Sequence, residues 1–187
     1  MSTLTALRHP SMLLQSGRRY RDAADHVDAA LHHDRRWNPV RIGSASEGAD
    51  CVGRAVHALV LAVRSDDVDR CQHAVTEVAV AALRMTASLD TYAVGNSDRA
   101  YDCARDSAWG ELLASLEKHP RSWVSIHEGF GVLLEEAFEL GEAAEFGQAL
   151  AQVRAEAIQV AAMAIRFIAD LVNTGPRATQ LTDKDHR

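Results

Sequence analysis

Two short acidic runs in the C-terminal half have the residue types and spacing of a divalent-cation site. Their candidate residues are Glu135, Glu136 and Glu139 in the run Glu135-Glu136-Ala137-Phe138-Glu139, then Glu156 and Gln159 in Glu156-Ala157-Ile158-Gln159. Helical residues three apart share a face with Cβ atoms about 5–6 Å from each other, so Glu136 and Glu139 can converge on one ion, and Glu156 with Gln159 repeats that geometry. The 17 steps between Glu139 and Glu156 (156 − 139) suffice to finish one helix, turn near Phe146-Gly147 and return beside it. Four oxygen donors facing each other between helices suit magnesium, or manganese, which keeps several waters and takes the rest of its shell from a substrate's phosphates.

Glu156 also shares a helical stripe with Val160, Met163 and Phe167, which places a carboxylate toward the core. A charge there requires compensation, either by a metal, by a proton or by an arginine such as Arg154 or Arg166. Neighbouring residues have plainer roles. Glu142 and Glu145 continue the polar face toward the turn, Phe138, Met163 and Phe167 are expected in the core, and His119 and His127 flank Trp123 in a loop and helix cap.

The elements that must position these groups are all helical. Ala, Val and Leu dominate the 47% of apolar residues while aromatics contribute only 5%, the profile of close-packed helices. Residues 1–43 are expected to hold a first helix over 15–33 with Tyr20, Val27 and Leu31 inward, and a solvated basic face with Arg18, Arg19, Arg35 and Arg36. Residues 44–95 are expected to form a helical hairpin, with N-cap chemistry offered by Ser44-Ala45-Ser46-Glu47 and again by Ser65-Asp66-Asp67, that ends near Gly95-Asn96. Residues 96–187 add a weaker helix over 99–116, stopped by His119-Pro120. A second hairpin follows over 125–144 and 148–172, then a break at Gly175-Pro176 and a polar tail.

The architecture expected is therefore an all-α bundle of two antiparallel hairpins with flanking helices. The hairpins align with each other: Glu47-Gly48 falls on Glu128-Gly129 at a shift of 81 (128 − 47), and Arg84 on Arg166 at a shift of 82 (166 − 84). Such matches are expected of a tandem repeat, although amphipathic helices also produce them by chance. Under this alignment Ala55, Ala58 and Ala74 stand opposite Glu136, Glu139 and Glu156, so residues 44–95 are expected to be a degenerate partner that packs Val52, Val56, Val78 and Ala82 against the second hairpin.

A net charge of −6 argues against duplex nucleic acid as a partner, since phosphate neutralisation needs an excess of Lys and Arg. No segment offers the roughly 20 apolar residues of a membrane span, and no signal peptide is evident. Cys51, Cys71 and Cys103 form no C-x-x-C pair, which fits a reducing, cytoplasmic setting rather than a disulfide framework or zinc site.

Over about residues 123–171 the chain resembles the MazG-like nucleoside triphosphate pyrophosphohydrolases, whose signature is E-E-x-x-E, a loop, then E-x-x-D. Glu135-Glu136-Ala137-Phe138-Glu139 fills the first block and Glu156 opens the second, with Gln159 in place of the closing Asp. The resemblance implies magnesium-dependent hydrolysis of a nucleoside triphosphate to the monophosphate and pyrophosphate. Glu136, Glu139, Glu156 and Gln159 would be metal ligands and Glu135 would orient or deprotonate the attacking water. A helical interaction protein or a nucleotide-binding regulator that kept the bundle without turnover is the alternative, and a homo-oligomer is compatible with either. Because ligand charge sets affinity for hard cations, Gln159→Asp should tighten manganese binding about tenfold; a weaker titration in the variant would assign Gln159 another role.

Overall fold

The computed structural model describes residues 10–38, 41–90 and 97–172, and among them are six α-helices. They are α1 Pro10–Trp37, α2 Ala45–Arg64, α3 Val68–Ser88, α4 Ser97–Lys118, α5 Ile126–Glu145 and α6 Leu150–Phe167, the last continuing as a π-helical turn over Ile168–Val172. The protein is thus an all-α bundle with no strand among the described residues. Helix α1 extends beyond the expected 15–33 at both ends, and α6 starts at Leu150 rather than 148. The breaks expected at Gly95-Asn96 and Gly175-Pro176 fall outside the described residues.

Local chemistry explains where helices start and stop. Extended Ser44 and Ser125 each accept a hydrogen bond from the amide three residues on, Glu47 and Glu128, at 3.1 Å. Those glutamates reach back to the amides of Gly43 and Val124 at 2.7 and 2.9 Å, so donors that the first turn leaves orphaned are satisfied reciprocally. Asp67 caps α3 through the amides of Asp69 and Arg70, both at 3.0 Å. The turns that follow α2 and α5 need a left-handed residue, supplied by Asp66 at φ 53° and Gly147 at φ 64°. Only glycine adopts that conformation without a Cβ clash, and aspartate is among the residues that tolerate it.

Helices α3 and α6 form the centre. Every residue from 160 to 170 is buried, as are Val75, Val78, Ala79, Ala82 and Leu83, and a helix apolar on most of its surface belongs inside a bundle. They pack on each other, with α2 against α3 and α5, α5 against α6, and α4 against both central helices. Ala79, Ala82, Ala157, Ala161 and Ala164 have no exposed surface, so helices meet there without large side chains between them. Val52, Val56, Val78 and Ala82, expected to face the second hairpin, are all buried.

The two halves share more than composition. Helices α2 and α5 have equal length and bounds displaced by 81 residues at both ends (126 − 45 and 145 − 64). Three contacts recur at the aligned positions. Arg84 Nη1 meets Asp34 Oδ2 at 2.9 Å as Arg166 Nη1 donates to Ser115 Oγ at 2.9 Å. Arg84 Nη2 donates to the Asn38 carbonyl at 3.1 Å, as Arg166 Nη2 does to that of His119 at 2.7 Å. The Ile42 amide donates to Ser88 Oγ at 3.2 Å, and the Trp123 amide to Asp170 Oδ2 at 3.1 Å. The correspondence reaches α1 and α4, where Tyr20, Ala23, Val27 and Leu31 are buried like Tyr101, Ala104, Ala108 and Leu112.

The start of α5 lies close against the end of α6: a Cβ added at Gly129 would stand 2.6 Å from Leu171 Cδ1, 2.8 Å from Trp123 Cε3 and 3.0 Å from Phe167 Cδ2. Gly129→Ala should therefore destabilise by about 1–3 kcal/mol through overpacking and lower the melting temperature by several degrees. Gly131→Ala, which meets nothing within 4 Å, should gain roughly 0.5–1 kcal/mol from helix propensity. Equal melting temperatures for the two variants would contradict the close approach.

Candidate metal centre

Helices α5 and α6 bring three of the expected residues to one point. Glu136 and Glu139, one turn apart on α5, and Glu156 on α6 each offer a carboxylate oxygen, and these atoms lie within 4.8 Å of one another. Glu156 is 8% exposed, as its place in the apolar stripe implies. Its hydrogen bond comes from Gln152 Nε2, one turn earlier on α6. Neither arginine proposed as its partner turns that way, since Arg154 faces Asp90 at 3.6 Å and Arg166 bonds the end of α4 and the loop beyond it. Glu136 Oε2 is buried and has no hydrogen-bond partner.

Like charges held together change the proton affinity of the group among them. Burial first, and then the carboxylates of Glu139, Glu156, Glu135 and Glu111, push Glu136 up to about 7. The arrangement is one that a proton or a cation stabilises, and the orphaned Glu136 oxygen with two convergent carboxylates forms a hard-oxygen donor set of the kind magnesium or manganese takes. Glu135 is exposed and Gln159 half-buried; both line the same cavity as Glu136 and Glu139, although neither belongs to the three-carboxylate cluster.

That cavity has a volume of about 700 Å³. Its other wall was not anticipated from the sequence. It comes from α4, where Glu111, Ser115 and Lys118 follow each other at helical spacing, and from the loop carrying His119 and Arg121. The cavity lining thus combines Glu111, Glu135, Glu136 and Glu139 with Lys118 and Arg121, the latter ion-paired with Glu128. The i, i+4, i+7 spacing of Glu111, Ser115 and Lys118 was the available signal.

Other expectations need correction. Phe138 is 66% exposed rather than in the core, because the inward stripe of α5 runs through Leu133 and Leu140 and Phe138 lies off it. Trp123 is buried, with the Arg166 guanidinium 4.8 Å from its ring centroid. Arg19 leaves the solvated face assigned to it and pairs with Asp170 at 2.8 Å. Compared with known protein families, with curated proteins and with solved structures, the chain matches none.

Glu136 sets a pH dependence with a definite sign. Its folded-state value lies above the unfolded one, so its contribution to stability is complete below about pH 4.5 and is lost as pH rises through about 7. Melting curves in chelator should show wild type losing stability across that window relative to Glu136→Gln, whose neutral amide has no such charge to bury. Parallel pH profiles for the two proteins would rule this out.

Proposed function

We propose that the protein is a magnesium-dependent nucleoside triphosphate pyrophosphohydrolase. The observation that carries this reading is the buried, unpartnered Glu136 oxygen, which converges with Glu139 and Glu156 and whose side chain, with that of Glu139, lines a cavity shared with Lys118 and Arg121. Glu136, Glu139 and Glu156 would hold the metal, with Gln159 adjacent. When bound, the metal supplies Lewis-acid charge neutralisation at the phosphates.

The chain's own residues account for the remaining tasks. Lys118 and Arg121 bind the phosphate chain and orient its α–β anhydride toward the carboxylates. Glu135, exposed at the cavity wall, accepts a proton from the attacking water as its oxygen bonds to phosphorus. The bridging P–O bond breaks, and pyrophosphate leaves with the bond's electron pair. The apolar packing of α6 behind Glu156 keeps bulk water from the ligand side.

Gln159 favours a second reading, because an amide where the resembled family has Asp removes one negative charge from the site. In that case the bundle would bind a partner or nucleotide without turnover.

A panel of ribo- and deoxynucleoside triphosphates with magnesium, scored by pyrophosphate release, separates the two. Turnover of at least one triphosphate is expected. Glu156→Gln should reduce it about 100-fold or more, with the helical circular-dichroism spectrum retained, and Glu135→Gln should reduce it by a comparable factor with manganese binding intact. No release from any triphosphate, or Glu156→Gln turning over within a few-fold of wild type, would overturn the assignment.

A further inference from the structure

The contacts shared by the two halves separate what the fold requires from what the carboxylate-bearing half adds. In both halves an arginine of the third helix donates to a backbone carbonyl just after the first helix, and an amide two residues before a serine cap donates to an oxygen near the third helix's end. In the first half that oxygen is the Ser88 hydroxyl. In the second it belongs to Asp170, which lies in the π-helical turn Ile168–Val172 and has no exposed side-chain surface.

The exchange of serine for aspartate recruits α1. Asp170 Oδ1 accepts from the Tyr20 hydroxyl at 2.7 Å and is ion-paired with Arg19 Nη2 at 2.8 Å, while Oδ2 accepts from the Trp123 amide and lies 3.5 Å from Arg166 Nε. Arg19 Nη2 also donates to Ser122 Oγ at 2.6 Å. Arg166 Nη2 takes the carbonyls of His119 and Arg121 at 2.7 and 2.8 Å. Residues 119–123 are therefore gripped by backbone and side chain, and they hold His119 and Arg121 in the lining of the cavity that Glu136 and Glu139 also line. π-Helical turns inside α-helices are frequently found at functional sites.

Building on the proposed hydrolase reading, we propose that Asp170 and Arg19 are positioning residues that fix the 119–123 strap in the conformation that receives the substrate's terminal phosphates. They touch neither the carboxylate cluster nor the cavity. Their loss is felt in phosphate binding and not in metal binding.

The test uses the full chain and two variants. Asp170→Ser installs the residue that the first half uses, keeping an acceptor for the Trp123 amide while breaking the links to Arg19 and Tyr20. Arg19→Gln acts at a partly exposed side chain on α1 and guards against a folding defect in the first variant. Manganese affinity, affinity for inorganic pyrophosphate in the presence of manganese, and amide hydrogen exchange of residues 119–123 are measured for each. Manganese affinity within twofold of wild type, pyrophosphate binding weakened about tenfold and faster exchange confined to the strap are expected. Pyrophosphate affinity and strap exchange both unchanged in the two variants would overturn the proposal, as would a parallel loss of manganese. Wild type that binds pyrophosphate but turns over no triphosphate removes the hydrolase reading alone, whereas wild type that binds manganese but no pyrophosphate removes both.

Discussion

A guanidinium with only 2% of its side chain exposed fixes the geometry on which the C-terminal half depends. Arg166 is always charged, so burying it demands acceptors in fixed directions around a planar group. The Ser115 hydroxyl and two loop carbonyls accept from its two Nη atoms, the Asp170 carboxylate adds an ion pair 3.5 Å from Nε, which itself lacks a hydrogen bond, and the face of Trp123 covers the plane. Because two of these acceptors are main chain, the loop from α4 to α5 cannot shift without leaving a buried charge unsatisfied. That sets where α5 begins, and so where Glu136 and Glu139 lie. Arg84 performs the corresponding task for α2 through Asp34 and the Asn38 carbonyl.

Against this frame the carboxylate cluster is a local conflict. Three glutamates meet at one point, and for Glu136 burial and the neighbouring carboxylates together oppose ionisation, so it holds its proton to about pH 7. Packing of α5 on the buried α6 keeps them together despite that repulsion. In the first half Ala55, Ala58 and Ala74 stand at the aligned positions, and the same frame closes with no such conflict.

Much of the frame was legible in the sequence because its determinants are local. Ser44 and Ser125 announce the starts of α2 and α5, Pro120 the end of α4, and the stripe through Val160, Met163 and Phe167 correctly placed Glu156 inside. Convergence of Glu136, Glu139 and Glu156 followed from spacing and turn position alone. What escaped is non-local or weakly patterned. Helix α4 turns inward Ala100, Tyr101, Ala104, Ala108 and Leu112, three of the five being alanines that give a poor contrast between faces, so the spacing of Glu111, Ser115 and Lys118 alone did not mark them as cavity residues. Arg19 and Asp170 are 151 positions apart (170 − 19) and carry no mutual signal. Phe138 is large and apolar, but it is out of phase with the buried Leu133–Leu140 line of α5, and phase rather than side-chain type decides that it faces outward.

The alanines at 55, 58 and 74 have a consequence for the order of events during translation. Domains generally acquire structure from the N-terminus as the chain emerges, and here the half synthesised first is the one that can collapse without bringing like charges together. Its α3 then presents an apolar surface that remains uncovered until α6 is made. The repulsive cluster is assembled last, when its scaffold is already standing. Between those two moments the nascent chain exposes the face that α6 will cover, and this interval is when it is most open to aggregation or capture by a chaperone.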